Sequence, residues 1–410
     1  MHKVLIIGGG AAGLMAAYSC AKNGNFAIII EKNEKLGKKI YITGKGRCNL
    51  TNDIPANEFL TNVVSNPKFL IGAINRFSPK NTIDLFEELG LSLTVERGNR
   101  VFPSSNKASD VTKTLEKAIR NLGVEVMLNT TVNSIVLTEI DGVTTVKGVK
   151  TDNGFIEGDS VIVCTGGVSY PLTGSTGDGY KFAKSVGHNI VEVKPALCGI
   201  CLKGNDYSLM QGLTLKNVSF SIKNNQKIIY KDFGELLFTH FGISGPVVLS
   251  ASSVINRLDF NNLSVHIDLK PALDEETLHN RLLREFKENY LKDLENVMRA
   301  LLPESLINVV LSRAQVKRSK KCCEITKEER SRLVSTLKNL DFKIKELRPI
   351  EESIVTAGGV NVKDVNPKTM ESKLVKGLYF AGEVLDVDAY TGGFNLQIAF
   401  STGYCAGQNV

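Results

Sequence analysis

Three glycines, Gly8, Gly10 and Gly13, follow the apolar run 4–7 at the spacing G-x-G-x-x-G, and an acid, Glu31, ends the next apolar run, 26–30. Residues of these types in this order suit a dinucleotide. Gly8 makes the tight turn, Gly10 lets the backbone approach a pyrophosphate, and Gly13 lets a helix pack closely on the strand. The helix that begins at Ala11 and Ala12 offers amide N–H groups and the positive end of its dipole to the phosphates. Glu31 is placed to accept hydrogen bonds from a ribose diol, and its charge argues against a 2′-phosphate there. A generic tight loop would explain the glycines alone. Strand, Gly turn, helix and strand with an acid at its end favour the dinucleotide.

Other reactive side chains carry less context. Cys198 and Cys201 form a C-x-x-C, but no second pair and no histidine pair lies at zinc spacing, and residues 195–202 read as strand, so no metal site is expected. Cys322 and Cys323 sit in a basic helical stretch and read as surface thiols. Ser244 and Pro246 read as a helix N-cap and first turn, which leaves His240 on the loop leading in. That position suits general acid work, substrate binding or a purely structural role.

The elements that must position these groups follow from periodicity. Runs 124–128, 134–137, 143–151, 161–164 and 377–381 read as strands, and residues 396–405 as a closing helix rich in small and apolar side chains. The stretches 218–222, 227–230 and 263–269 read as a small β domain. Leu278, Leu282, Leu283 and Phe286 share one helical face, and residues 304–314 form another helix. The expected architecture is α/β: a Rossmann-like dinucleotide domain built from both chain ends, residues 1–190 and 346–410. It is interrupted by an insertion, 191–345, that is β-rich over 191–270 with a strand return near 341–345 and a nested helical subdomain over 271–340.

The chain has 410 residues, enough for two to three domains with buried cores. Its 42% hydrophobic and 23% charged residues exclude disordered and fibrous classes, and no apolar run approaches the ~20 residues of a membrane span. Eight cysteines without regular spacing suit free thiols and a cytoplasmic location. The net charge is +7, and residues 191–345 hold 24 Lys+Arg against 18 Asp+Glu, so the excess lies in the insertion. Within 313–332, eight basic residues face three acids. A solvated helix surface and an anionic partner are both open readings.

These blocks, in this order, resemble FAD-dependent oxidoreductases of the glutathione reductase and fumarate reductase type. More narrowly, the chain resembles the BaiN-like flavoproteins, also called YhiN or aminoacetone-oxidase-like. The narrower likeness rests on residues 44–52, 100–103, 174–180, 238–246 and 386–397. The resemblance implies FAD as cofactor, with Glu31 and Lys32 at the ribose end and Val132 offering backbone contact to the adenine. It implies Lys39, Thr43, Gly46, Arg47, Cys48 and Asn49 beside the cofactor, and Thr165, Gly166, Gly167, Gly382 and Glu383 toward its phosphate and ribityl region. The helix start at Gly393, Phe394, Asn395, Leu396 and Gln397 would face the pyrimidine edge, where its dipole favours negative charge.

Glutathione reductase-like enzymes hold a redox disulfide near the position of Cys48. Here Asn49, Leu50, Thr51, Asn52 and Asp53 follow, so Cys48 is a lone thiol, either a proton donor or a packing residue. His240, Tyr390 and Arg100 are the other catalytic candidates. Only one dinucleotide fingerprint follows a strand, so either NADH or NADPH visits as a transient co-substrate without a domain of its own, which is the expectation, or the electrons come from elsewhere. The family's chemistry implies hydride delivery to an activated C=C bond of a small molecule. Alternatives are conversion of uridine to dihydrouridine in structured large-subunit rRNA, bound through 313–332, and oxidation of an aminoacetone-type amine.

Overall fold

The computed structural model describes residues 2–410, which divide into two compact units: residues up to Ala196 together with Pro349–Val410, and Leu197–Arg348. In the first unit, β1 (Lys3–Ile7) is the middle strand of a five-stranded sheet. β2 (Phe26–Ile30) and then Glu125–Met127 lie on one side of it, and Ser160–Val163 and then Leu378–Phe380 on the other. The pairings are all parallel. Parallel strands covered on both faces must be apolar throughout. Val4, Leu5, Ile6, Val161, Ile162 and Val163 are accordingly fully buried. The last strand comes from the far end of the chain, so the two ends of the sequence share one sheet.

The crossover from β1 to β2 is helix α1 (Ala11–Lys22), buried from Ala12 through Cys20. A helix enclosed all round needs neighbours on every side. One is the C-terminal helix, Phe394–Gln408, and the two approach to backbone contact. A Cβ on Gly403 would lie 2.3 Å from the carbonyl oxygen of Ala12, and one on Gly407 2.3 Å from that of Ala16. Two further elements bear on the site. A short hairpin, Leu93–Glu96 with Arg100–Pro103, pairs with Thr51–Asn52. An antiparallel pair joins Ile190–Ala196 to Val355–Val360.

The second unit is a closed six-stranded barrel with its own core. Around the barrel run Ile200–Leu202, Gly242–Ser244, Lys227–Thr239, Thr214–Asn224, Leu263–Asp268 and Leu340–Leu347. The helices Glu275–Glu288, Leu294–Met298, Glu304–Arg313 and Lys327–Lys338 are inserted between its last two strands in chain order. On the first of them Leu278, Leu282 and Phe286 are buried and Leu283 is half-buried. Among the described residues, no helix is long and apolar enough to cross a membrane.

Three local expectations are corrected. Residues 195–202 are not one strand: Leu197 turns at φ +53, and the amides of Leu197 and Cys198 donate to the hydroxyls of Ser253 and Ser252 at 3.2 and 3.0 Å. Ser244 is not a helix cap but ends a strand. Gly245 occupies the cap at φ +104, where a Cβ would lie 2.9 Å from Glu235 O, so only glycine fits. Cys322 is not a surface thiol; it is buried in the barrel unit's core and only Cys323 is exposed.

Gly407→Ala tests the helix contact. Alanine's better helix propensity is opposed by a methyl group driven against a backbone oxygen. The expected result is a net loss of about 1–3 kcal/mol, read as a lower denaturant midpoint.

Candidate active site

Each glycine of the first turn has a separate steric cause. Gly8 holds φ +100 with a Cβ position 2.7 Å from Cys164 O, and the Cβ position of Gly13 lies 1.9 Å from Gly8 O. Around Gly10 nothing lies within 4 Å of the Cβ position. Gly10 is the N-cap of α1, no side chain caps this helix, and its first turn holds no acid. An uncapped helix start with free space beside it leaves room for an anion. Half-buried Gly8, Gly10, Ala11, Thr165 and Gly166 interrupt strand ends that are otherwise closed, while Ala12 is buried behind them.

Glu31 ends β2 with its carboxylate held in place. Oε2 accepts from Gly9 N at 2.7 Å, and Oε1 from Asn33 N at 2.8 Å and Asn33 Nδ2 at 2.6 Å. Thr130 N donates to Glu31 O at 3.1 Å, which draws the segment leading to Val132 alongside. Lys32 turns away to Asp178, at 2.6 Å.

Glu383 is a junction more than an open ligand. It takes Lys39 Nζ at 2.7 Å, Ser169 Oγ at 3.1 Å and Thr356 N at 2.8 Å, tying four segments together. Gly167 fits beneath it because a Cβ would lie 2.3 Å from Thr356 Oγ1. Gly382, at φ +80, packs against α1 with its Cβ position 2.8 Å from Ala12 Cβ, and its N–H donates to Thr402 Oγ1 at 2.9 Å.

The loop after residue 42 is sharply wound: Gly44, Lys45, Gly46 and Cys48 all have φ between +56 and +86. It closes on itself through Cys48 N to Thr43 O at 3.1 Å, and Thr43 Oγ1 donates to Ile40 O at 2.7 Å. Gly46 has open space at its Cβ position and Asn49 is half-buried. Cys48 is fully buried, and burial pushes its thiol up to about 12, so it is a protonated packing residue at neutral pH. Arg47 lies 4.2 Å over the Phe102 ring, donates to Asn106 Oδ1 at 2.7 Å and pairs with Glu96.

The C-terminal helix opens at Gly393, φ +96, with a Cβ position 2.4 Å from Thr51 O. It too has no side-chain cap and no acid in its first turn. Asn395 braces the preceding loop: its Nδ2 donates to Ala389 O at 2.8 Å and to Tyr390 O at 3.3 Å. Tyr390 and Leu396 are half-buried, and Phe394 packs edge-on against Phe59 at 5.2 Å. Gln397 departs from the expectation of cofactor contact. Its side chain is fully buried and donates to Phe77 O at 3.1 Å and Ser401 Oγ at 2.9 Å, bracing the core.

The first unit therefore holds all the expected cofactor residues together with Cys48, Arg100 and Tyr390. His240 belongs to the barrel unit, exposed on a two-residue turn, its ring edge-on to Phe241 at 5.1 Å. Asn52 was not singled out from the sequence, yet its Nδ2 bridges Gly98 O at 2.9 Å and Gly392 O at 3.1 Å. Ser169 and Thr356 were missed for the same reason: their partners are distant in sequence. Half of the basic stretch is paired with acids. Arg313 pairs with Asp206, Arg318 with Glu295 and Glu304, Lys320 with Glu329, and Lys321 with Asp293. Among the described residues no group of three His, Cys, Asp or Glu is placed to hold a metal.

The arrangement fits an FAD. The uncapped start of α1 with the open space at Gly10 suits the pyrophosphate, and the uncapped start of the C-terminal helix suits the flavin's electron-rich edge. Gly10→Val, at φ −80 and ψ −166, places its side chain in that open space without clashing with the chain. The variant should fold with an unchanged far-UV spectrum and purify colourless; a yellow, fully loaded Gly10→Val would contradict the assignment. Seven of the eight cysteines are buried, so a thiol reagent at neutral pH should find one fast equivalent, lost in Cys323→Ser.

Comparison with known proteins gives the family and the fold. Residues 2–409 match the family model described as HI0933-like protein Rossmann domain. The chain is 30% identical to the 3-dehydro-bile acid delta(4,6)-reductase of Clostridium scindens, over 100% of this chain and 98% of that one. It is 31% identical to a ribosomal RNA dihydrouridine synthase of Haemophilus influenzae, over 98% and 97%. In fold it is similar to the 3-ketosteroid delta1-dehydrogenase of Sterolibacterium denitrificans, with TM-score 0.54 and 12% identity over 99% of each chain. With the match spanning nearly every residue, the chain belongs to the HI0933-like family, the BaiN-like flavoproteins, and is an FAD-dependent oxidoreductase.

Proposed function

We propose that this oxidoreductase saturates a C=C bond conjugated to a carbonyl, with NADH or NADPH as electron donor. One observation carries the reading. The two named relatives, each about 30% identical over nearly their whole length, are a steroid delta(4,6)-reductase and a dihydrouridine synthase, and both names describe saturation of an activated C=C bond. When bound, FAD supplies the hydride that such a bond accepts.

The chain's own residues bind, orient and protonate. Amides at the start of α1 would hold the pyrophosphate, and Glu31, already fixed by Gly9 and Asn33, would offer its remaining lone pairs to ribose hydroxyls. The start of the C-terminal helix stabilises negative charge at the pyrimidine edge without reorganisation. Hydride addition to a conjugated C=C bond leaves an enolate that needs a proton. Cys48 is enclosed and offers substrate no access. Tyr390, half-buried and anchored through its backbone to Asn395 at the helix start, is the donor in this reading. Only one dinucleotide fingerprint is present, so a nicotinamide would bind transiently, without a domain of its own.

The test is anaerobic. NADPH or NADH should bleach the bound flavin, and 2-cyclohexenone or a uridine-containing rRNA fragment should restore the yellow colour. Flavin reduced by aminoacetone and reoxidised by oxygen with stoichiometric peroxide would instead mark an amine oxidase. Tyr390→Phe should lower turnover about 100-fold, the lower end for loss of a general acid, while flavin reduction keeps its rate. An unchanged turnover would remove Tyr390 from the mechanism.

A further inference from the structure

Beside the loop Gly44–Asn49 lies a concentration of positive charge that the proposed reaction does not use. The hairpin Leu93–Glu96 with Arg100–Pro103 is bolted to this loop's continuation: Leu50 N donates to Val101 O at 2.9 Å and Asp53 N to Asn99 O at 2.7 Å. Asn52 pairs with Arg100 across the sheet, and its side chain ties the hairpin tip to Gly392 at the threshold of the C-terminal helix. Arg47 and Arg100 lie 4.2 and 5.8 Å from the same Phe102 ring. They also share one carboxylate, since Glu96 pairs with Arg47 and stands 3.9 Å from Arg100. Lys45, on the loop, and Arg97, at the hairpin tip, are exposed and have no acidic partner among the described residues. Four cations thus answer to a single acid.

We propose that this hairpin and loop receive a phosphate group of the substrate. The proposal rests on the proposed function, in which the start of the C-terminal helix meets the reactive end of the cofactor. Arg47 is held by Glu96 and Asn106, while Arg100, with its Nε on Arg97 O at 3.0 Å and Glu96 no nearer than 3.9 Å, keeps terminal donors for a phosphate oxygen, and Lys45 and Arg97 add charge at little desolvation cost. A neutral enone would leave this charge unanswered. The phosphate belongs either to a nucleic-acid backbone or to a small phosphorylated molecule. These sources share one chemistry and differ in how many phosphates reach the surface.

The test uses holoenzyme, wild type and Lys45→Gln/Arg97→Gln, with the visible absorbance of bound flavin as readout. Each is titrated with inorganic phosphate, uridine 5′-monophosphate, a uridine-containing RNA oligonucleotide and 2-cyclohexenone, at two salt concentrations. Phosphate-bearing probes should perturb the wild-type flavin. Their apparent Kd should rise at least tenfold in the double variant and with salt, while FAD content and the cyclohexenone titration stay unchanged. Tighter binding of the oligonucleotide than of the monophosphate assigns the phosphate to RNA, and equal binding assigns it to a small molecule. If no phosphate-bearing probe perturbs the flavin, or the variant matches wild type within twofold, the proposal fails. If the probes bind as expected but no C=C compound reoxidises reduced flavin, the anion site stands and the reductase reading falls.

Discussion

The closest backbone approach at the first turn, Gly13 against Gly8, sets the position of everything else in the site. Because the Gly8 carbonyl oxygen lies 1.9 Å from where a Gly13 side chain would begin, α1 starts directly on the end of β1. The far end of the chain closes onto the same helix by the same device, through Gly382 at Ala12 and Gly403 and Gly407 at the carbonyls of Ala12 and Ala16. Without these contacts the two uncapped helix starts would not be held in one unit. Their relative placement is a packing result, enforced where side chains are absent.

Charge inside this frame is arranged to hold backbone as much as to meet ligand. Glu383 joins Lys39, Ser169 and Thr356, so its negative charge is compensated by an ammonium group and two hydrogen-bond donors. Glu31 likewise fixes the Gly9 amide while keeping acceptor capacity. Cys48 illustrates the opposite case. Burial raises its thiol well above the usual range against an opposing contact from Thr43, so it stays protonated and unreactive at neutral pH.

How much of this was legible in the sequence depended on the range of the interaction. The Gly turn, β1, β2 and Glu31 lie within the first 31 residues and obey local rules of spacing, so they could be read directly. The break at Leu197 could not, because hydroxyls of Ser252 and Ser253 hold it. Nor could the displacement of the helix cap from Ser244 to Gly245, which a carbonyl at Glu235 enforces. Asn52 shows the limit most plainly. Its two acceptors, at Gly98 and Gly392, lie 46 and 340 residues away, and no pattern around residue 52 announces either. Gln397 erred the other way, since a residue at a helix start reads as ligand-facing until the core on its other side is known.

The two basic regions show why charge counts and charge availability differ. Residues 313–332 carry eight cations, of which four, Arg313, Arg318, Lys320 and Lys321, are matched by carboxylates, so the run's potential is about half of what the count suggests. The hairpin around Arg97 has fewer cations but a single acid, and its strand is hydrogen-bonded to the segment that follows Cys48 and Asn49. Over the roughly 8 Å that salt leaves unscreened, unpaired charge near a site acts on what enters it, whereas paired charge elsewhere chiefly stiffens the fold. The composition placed the excess charge in the insertion and left a solvated surface and an anionic partner both open. The pairing of individual side chains decides how much of either region's charge is left for a ligand, and by that measure Lys45 and Arg97 of the Rossmann-like unit are among the uncompensated cations.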